Sequence, residues 1–204
     1  FGYSCAIDDS GVICWGLNDY GQTDVPSLSS PSQVSAGGNY ACALDDMGVI
    51  CWGDNTHGQS YVPTLSNPKQ ISAGDGFVCA IDNSDVICWG ENGYGQSNVP
   101  TLSNPTQVSS GDVHTCALDD TGVICWGDNT HGQSNVPTLT NPSQVSLAYR
   151  QTCAVDDTGV VCWGFNNYGL STVPELSFTF NEEVTDNNLT SAVLDIDANG
   201  SFDA

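Results

Sequence analysis

Five times in 204 residues the chain writes a cysteine, eight further residues, and a second cysteine followed at once by tryptophan and glycine. The first cysteines are Cys5, Cys42, Cys79, Cys116 and Cys153, the second are Cys14, Cys51, Cys88, Cys125 and Cys162, and the copies repeat every 37 residues. Trp15, Trp52, Trp89, Trp126 and Trp163 keep the same register, as do the Val-Pro pairs ending at Pro26, Pro63, Pro100, Pro137 and Pro174. A chain of this kind folds as stacked units, each too small to bury its own apolar surface alone.

Within a unit the local signals are those of strands. In "CALDDTGVICWG" the apolar runs 116–118 and 123–126 flank Asp119-Asp120-Thr121-Gly122, a predicted four-residue hairpin loop with glycine in the left-handed position. Asp85 stands where the third copy should have that glycine, and aspartate tolerates the left-handed region better than most residues. This pairing sets Leu118 opposite Val123, Ala117 opposite Ile124, and Cys116 opposite Cys125. Cys116, Leu118, Val123 and Cys125 then share one face, and Ala117, Ile124 and Trp126 the other. Both faces are apolar, so each small sheet must lie between two neighbours. "NPSQVS" (141–146) and its counterparts add a strand, and the "NVP" segment is a candidate for a fourth. The predicted fold is all-β, a β-propeller of about five short blades, with a linear β-solenoid as the alternative.

"GDVHTCALDDTGVICWGDNTHGQ" (111–133) resembles the regulator of chromosome condensation repeat, in the short cysteine-bearing form common in bacterial extracellular proteins. The resemblance covers residues 1 to about 176 and implies a β-propeller, often seven-bladed in that family. Known members include a nucleotide exchange factor that docks on chromatin and a propeller that inhibits β-lactamases, so the resemblance does not by itself name a function. The fifth copy departs from the pattern, with Ala148 for glycine and Leu170 for glutamine.

Three segments are expected: a five-repeat propeller (1–176), a closing strand and linker (177–187), and the start of a calcium-loop segment (188–204). Phe1 opens no signal peptide, and the first unit lacks a strand before it. The alternating segment "LSFTFNEEV" (176–184) is a candidate to fill that vacancy, either closing a ring within one chain or inserting into a second molecule.

The even number, fixed spacing and cross-strand placement of the cysteines predict five disulfides within hairpins, one per blade, and hence an oxidising compartment. Zinc is the rival, but neither CxxC spacing nor nearby histidine ligands support it; free buried thiols are the other alternative. Tryptophan at a fixed place on a hairpin face reads as core rather than as a ligand platform. Asn129 and its counterparts read as turn residues. The ligand-binding candidates are Tyr20, His57, Tyr94, His131 and Tyr168, one per unit on loop tips, where recognition residues concentrate.

No catalytic residues are assigned. The histidines His57, His114 and His131 form no triad pattern, and paired acids such as Asp8-Asp9 and Asp119-Asp120 suit turns better than a glycosidase pair. Near the C-terminus, "DIDANGSFDA" places Asp195, Asp197, Asn199, Ser201 and Asp203 at the spacing of an EF-hand or dockerin calcium loop, with Gly200 at the bend, and calcium is the expected cofactor. Asn188-Leu189-Thr190 matches a glycosylation sequon.

With 2 Lys+Arg against 24 Asp+Glu and a formal net charge of −22, the chain is expected to bind neither nucleic acid nor anionic lipid. Apolar runs such as 160–163 fall far short of the ~20 residues that cross a membrane. The expected function is a secreted or cell-surface, non-catalytic binding or scaffolding propeller that engages a protein or glycan. The alternatives are a structural subunit polymerising by strand donation through residues 176–184, and a protein inhibitor.

Overall fold

The computed structural model describes residues 2–167, 169 and 171–173, which lie within a compact unit, Phe1–Val173. The described residues form fourteen strands and no helix. The first blade pairs β1 (Tyr3–Asp8) with β2 (Gly11–Gly16). The second contains β3 (Gln33–Ala36), β4 (Tyr40–Asp45) and β5 (Gly48–Gly53). The third contains β6 (Pro68–Ala73), β7 (Phe77–Asp82) and β8 (Asp85–Gly90). The fourth contains β9 (Gln107–Ser110), β10 (His114–Asp119) and β11 (Gly122–Gly127). The fifth contains β12 (Gln144–Ala148), β13 (Gln151–Asp156) and β14 (Gly159–Gly164). Every blade is an antiparallel meander, and the first strands of blades two to five, β3, β6, β9 and β12, pack beside one another as the innermost layer.

The expected register holds, with Leu118 opposite Val123, Ala117 opposite Ile124, and Cys116 opposite Cys125. All five cysteine pairs are bonded, with Cα atoms 4.0–4.1 Å apart. Such close approach belongs to the non-hydrogen-bonded pairs of an antiparallel ladder, which is where alternation puts these residues. Two expectations need correction. The ladder extends to Asp119–Gly122, so the hairpin turns on two residues rather than four, with Gly122 at φ 117°. In the third copy Asn83, not Asp85, takes the positive φ, at 57°. The Val-Pro segments are not fourth strands. They run as irregular connections whose Val25, Leu28, Val99 and Leu102 side chains still pack on the core.

The core consists of four junctions between blades. At three of them the cysteine face of one blade meets the alanine–tryptophan face of the next, as where Cys79, Ile81 and Val86 pack against Val108, Ala117 and Trp126, and at the fourth Cys116 and Leu118 pack with Val145 and Leu147. Trp126 is 9% exposed, whereas Trp15, on a blade with no described blade before it, is 54% exposed. Gly74 allows the Phe77 ring to lie against the backbone, since a Cβ there would sit 2.3 Å from the ring. Ala148 replaces the corresponding glycine in the fifth blade, where Gln151 stands in place of the ring.

Candidate functional site

The loop after the last strand of each blade carries the candidate column, and its backbone is fixed from within. Asn55 Oδ1 accepts from the Ser60 N–H at 2.9 Å, and Asn129 Oδ1 from the Ser134 N–H at 3.1 Å. The amide oxygens of Gln22, Gln59, Gln96 and Gln133 accept, each at 2.9 Å, from the N–H of Tyr20, His57, Tyr94 and His131. Those glutamines are buried, and their carbonyls accept from the indoles of Trp52, Trp89, Trp126 and Trp163 in the following blade at 2.8–3.0 Å. A single string of bonds therefore ties each of the first four loops to the next blade. The tips stay out in solvent, with Tyr20 54% and Tyr94 52% exposed and both His57 and His131 exposed.

Tyr20, His57, Tyr94 and His131 thus occupy one position in consecutive blades, and among the described residues none hydrogen-bonds to or stacks on another. Tyr168 lies outside the described residues, as do the candidate calcium ligands Asp195, Asp197, Asn199, Ser201 and Asp203 and the segment 176–184. Among the described residues no group of three or more His, Cys, Asp or Glu is placed to hold a metal ion.

Sequence reasoning missed a second cluster between blades four and five. Arg150 donates from Nη1 to His131 Nε2 at 2.8 Å and lies 5.2 Å from the centre of the Tyr149 ring. Phe165 packs edge-on against His131 at 5.1 Å and against Tyr149 at 6.4 Å. The available signal was the departure of the fifth copy, "LAYRQ" at 147–151, where its neighbours read "AGDGF" and "SGDVH". Tyr149 and Asp112 also line an open recess of about 370 Å³ bounded by the innermost strands. Burial pushes the Asp112 carboxyl up to about 6, the negative charge of Asp75 adds to this, and Arg150 opposes it.

Two further groups serve the fold rather than a ligand. In the second, fourth and fifth blades the first acid of the paired turn staples the preceding connection: Asp45 accepts from the Ser29 and Ser30 N–H groups, Asp119 from Ser103, and Asp156 from Thr140. Burial alone would raise Asp119, but the bonds from Ser103 and Thr121 outweigh it and hold the carboxyl below its usual range. His114 is fully buried, with Nε2 2.9 Å from Thr152 Oγ1. The Thr152 hydroxyl donates to the Gln133 carbonyl, so Nε2 carries the histidine proton, and Nδ1 is a bare acceptor with no hydrogen-bond partner among the described residues. Burial pushes His114 down to about 4, against a smaller opposing effect from Asp128.

Residues 32–59, 69–96 and 106–133 each match the family profile of the regulator of chromosome condensation (RCC1) repeat. Three of the five units are thus RCC1 repeats, and the fold is a β-propeller of the RCC1 type. Its RCC1-type fold is similar to the ectodomain of the Physcomitrella patens receptor kinase CR4, with TM-score 0.70 and 25% identity over 81% of this chain and 50% of that one. It is also similar to the ectodomain of the Arabidopsis thaliana receptor kinase ACR4, with TM-score 0.65 and 26% identity over 80% of this chain and 63% of that one. Yeast RCC1 (Prp20), in its complex with Kap60, shares the fold at TM-score 0.68 and 18% identity, over 88% of this chain and 58% of that one. The chain thus spans between half and 63% of the length of these three proteins. No curated protein sequence matches it.

Proposed function

We propose that this propeller is a non-catalytic binding module of an oxidising, extracellular setting, and that it engages a protein or glycan through the loop face bearing Tyr20, His57, Tyr94 and His131. The observation that carries the reading is the contrast within each loop: an exposed ring two residues before a buried glutamine whose carbonyl is bonded to the next blade. Rings held on a fixed backbone lose little freedom on binding, which is what recognition surfaces require. Tyr149 and Arg150 extend the same face at the fourth and fifth blades through their contact with His131 and Phe165.

Five disulfides support an oxidising location, and the likeness to two receptor-kinase ectodomains points the same way. Yeast RCC1 was crystallised with the protein Kap60, which supports a propeller of this type as a protein-binding surface. The non-catalytic reading is supported by the paired acids, whose first member in blades two, four and five is engaged by backbone N–H groups. A net charge of −22 favours partners with neutral or basic surfaces over nucleic acid.

Binding of the full chain to protein and glycan arrays tests the proposal. Joint replacement of Tyr20 and Tyr94 by alanine should weaken the best ligand at least about tenfold with the melting temperature unchanged, as expected when exposed aromatic anchors are removed. Unchanged affinity would refute the assignment of the face.

Among the described residues the first blade has only two strands, which supports a second reading, self-association by strand donation from residues 176–184. A ladder of masses in light scattering supports donation between molecules, and a single monomer mass contradicts it. For residues 188–204 we propose calcium binding through Asp195, Asp197, Asn199, Ser201 and Asp203, read by terbium luminescence of the full chain and refuted by its absence.

A further inference from the structure

The loops that carry the candidate rings differ at one step of the chain. After the turn asparagine, the first, second, fourth and fifth copies place Asp19, Thr56, Thr130 and Asn167, and the third places Gly93. The fold does not call for a glycine there. Its φ is not in the positive region, and a Cβ would meet nothing closer than Glu91 Oε1, at 3.6 Å. Gly95, two residues on, does need its freedom, at φ 79°.

The asparagine itself is held alike in the third and fourth copies. Asn92 Oδ1 accepts from the Ser97 N–H at 3.0 Å and Nδ2 donates to Asn98 Oδ1 at 2.7 Å; Asn129 makes the same bonds with Ser134 and Asn135 at 3.1 and 2.7 Å. What differs is the peptide nitrogen that follows. The Thr56 and Thr130 N–H groups donate to Asp54 and Asp128 at 3.1 Å, and the threonine hydroxyls donate to the same carboxylates at 2.9 Å. Glu91 replaces that aspartate in the third copy, and among the described residues the Gly93 N–H makes no hydrogen bond. Asn92 and Gly93 are both exposed to water.

These are the conditions for an intramolecular acyl transfer: an amide carbon held in place, a neighbouring nitrogen free to reach it, and no side chain in the way. The bond from Ser97 to Oδ1 also draws electrons from Cγ. We propose that Asn92–Gly93 is a site of spontaneous self-modification whose co-reactant is water. The Gly93 nitrogen gives its proton to solvent base and bonds to Asn92 Cγ. The Cγ–Nδ2 bond then breaks, and Nδ2 leaves as ammonia with a proton returned to it. Water opens the cyclic imide. Attack at Cγ gives aspartate, and attack at the backbone carbonyl carbon gives isoaspartate, with the chain rerouted through the former side chain. Nothing is oxidised or reduced, and either product carries a new negative charge.

The rerouted product adds a methylene to the backbone of a tightly closed loop. The Asn92 carbonyl accepts from the Gly95 N–H at 3.1 Å, the Tyr94 N–H donates to Gln96 Oε1 at 2.9 Å, and the Gln96 carbonyl accepts from Trp126 at 2.8 Å. In isoaspartate that first carbonyl becomes a pendant carboxylate, so the Gly95 bond is lost and Tyr94 shifts. The tip of the third blade therefore changes shape with age, while those at Asn55 and Asn129 keep theirs. The bearing on binding rests on the loop-face reading; the conversion itself does not.

In the test, the full chain is incubated at mildly alkaline pH and mapped by peptide mass spectrometry, with isoaspartate assigned by electron-based fragmentation. Asn92 should convert at least about tenfold faster than Asn55 and Asn129, because the missing N–H bond and the glycine each contribute to the difference. The Asn-Gly pair at 199–200 is mapped as a separate peptide. Gly93→Thr should slow conversion at Asn92 about threefold or more and leave the melting temperature unchanged. Hydrogen exchange at the Tyr94 and Gly95 amides should quicken in the converted protein. Equal rates at Asn92 and Asn129, an unslowed Gly93→Thr variant, or unchanged exchange at Gly95 after conversion would overturn the inference. None of these readouts uses a ligand, so failure of the loop face in array binding is distinguished from failure here.

Discussion

Replacing His114 by phenylalanine, the residue that already fills the corresponding buried position at Phe77, removes the ionisable base packed between the fourth and fifth blades. The folded protein takes up the proton only near pH 4, whereas an unfolded chain takes it up near the ordinary 6.5. A base whose folded pKa is depressed leaves stability intact above about pH 6.5, erodes it as the pH falls, and completes the loss below about pH 4. By linkage the wild type should lose about 2.5 kcal/mol from this group at pH 4.5. The cause is structural: the added proton would sit on Nδ1, which has no acceptor, while Nε2 is committed to Thr152. Asp112 works in the opposite direction in the same range, because burial and Asp75 raise it to about 6, though its partial exposure screens the effect. Asp128, which faces the ring, and Asp119 are held low and therefore weaken the fold only below about pH 4. These acids are common to both proteins, so the difference between wild type and His114→Phe isolates the histidine. Guanidinium unfolding read by tryptophan fluorescence at pH 7.5 and 4.5 measures it. A gap between the two proteins that is the same at both pH values would refute the account of the buried neutral ring.

Three other outcomes follow from the blade junctions. Removing the fourth disulfide by joint Cys116→Ala and Cys125→Ala replacement should cost about 2.5 kcal/mol through loop-closure entropy, read by denaturant titration; a melt unmoved by dithiothreitol would contradict it. Trp126→Ala should cost about 3–5 kcal/mol, and Trp15→Ala less than about 1 kcal/mol, since only the former is enclosed by a preceding blade. Gln70→Ala, which breaks two hydrogen bonds to Val108, should cost about 1–2 kcal/mol in the same assay and leave the circular dichroism spectrum unchanged.

The repeat made the sheets legible before any coordinates. Alternation around Cys116 and Cys125 sufficed to assign both faces of the hairpin, because a strand has only two sides and both were apolar. The turn length was misread because Asp119 and Gly122 look like loop residues, yet they close the ladder, and the aspartate is spent on a connection sixteen residues back. That contact joins parts of the chain that no local pattern relates. Gln33 grips the N–H and carbonyl of Ile71 in the following blade, and Ser35 Oγ accepts from the Ala73 N–H. These grips were likewise invisible, since a glutamine on a short strand looks solvated until the neighbouring blade's backbone is placed beside it. Of the candidate face, the exposed tips could be read from position alone. The Arg150–His131–Phe165 cluster could not, because it depends on two blades meeting where the fifth copy breaks the pattern.

The forward reach of Gln33, Gln70 and Gln107 gives the stack a sense of direction, as threads do on a screw. Blades two to four each offer a hand to their successor, and blades three to five each accept one from their predecessor. A spare 37-residue module spliced between any two interior blades would find both handshakes waiting, whereas a module inserted in reversed order would find neither. Growth by tandem duplication of such a gene segment is thus conservative by construction: each new copy arrives already fluent in the contacts on both its sides.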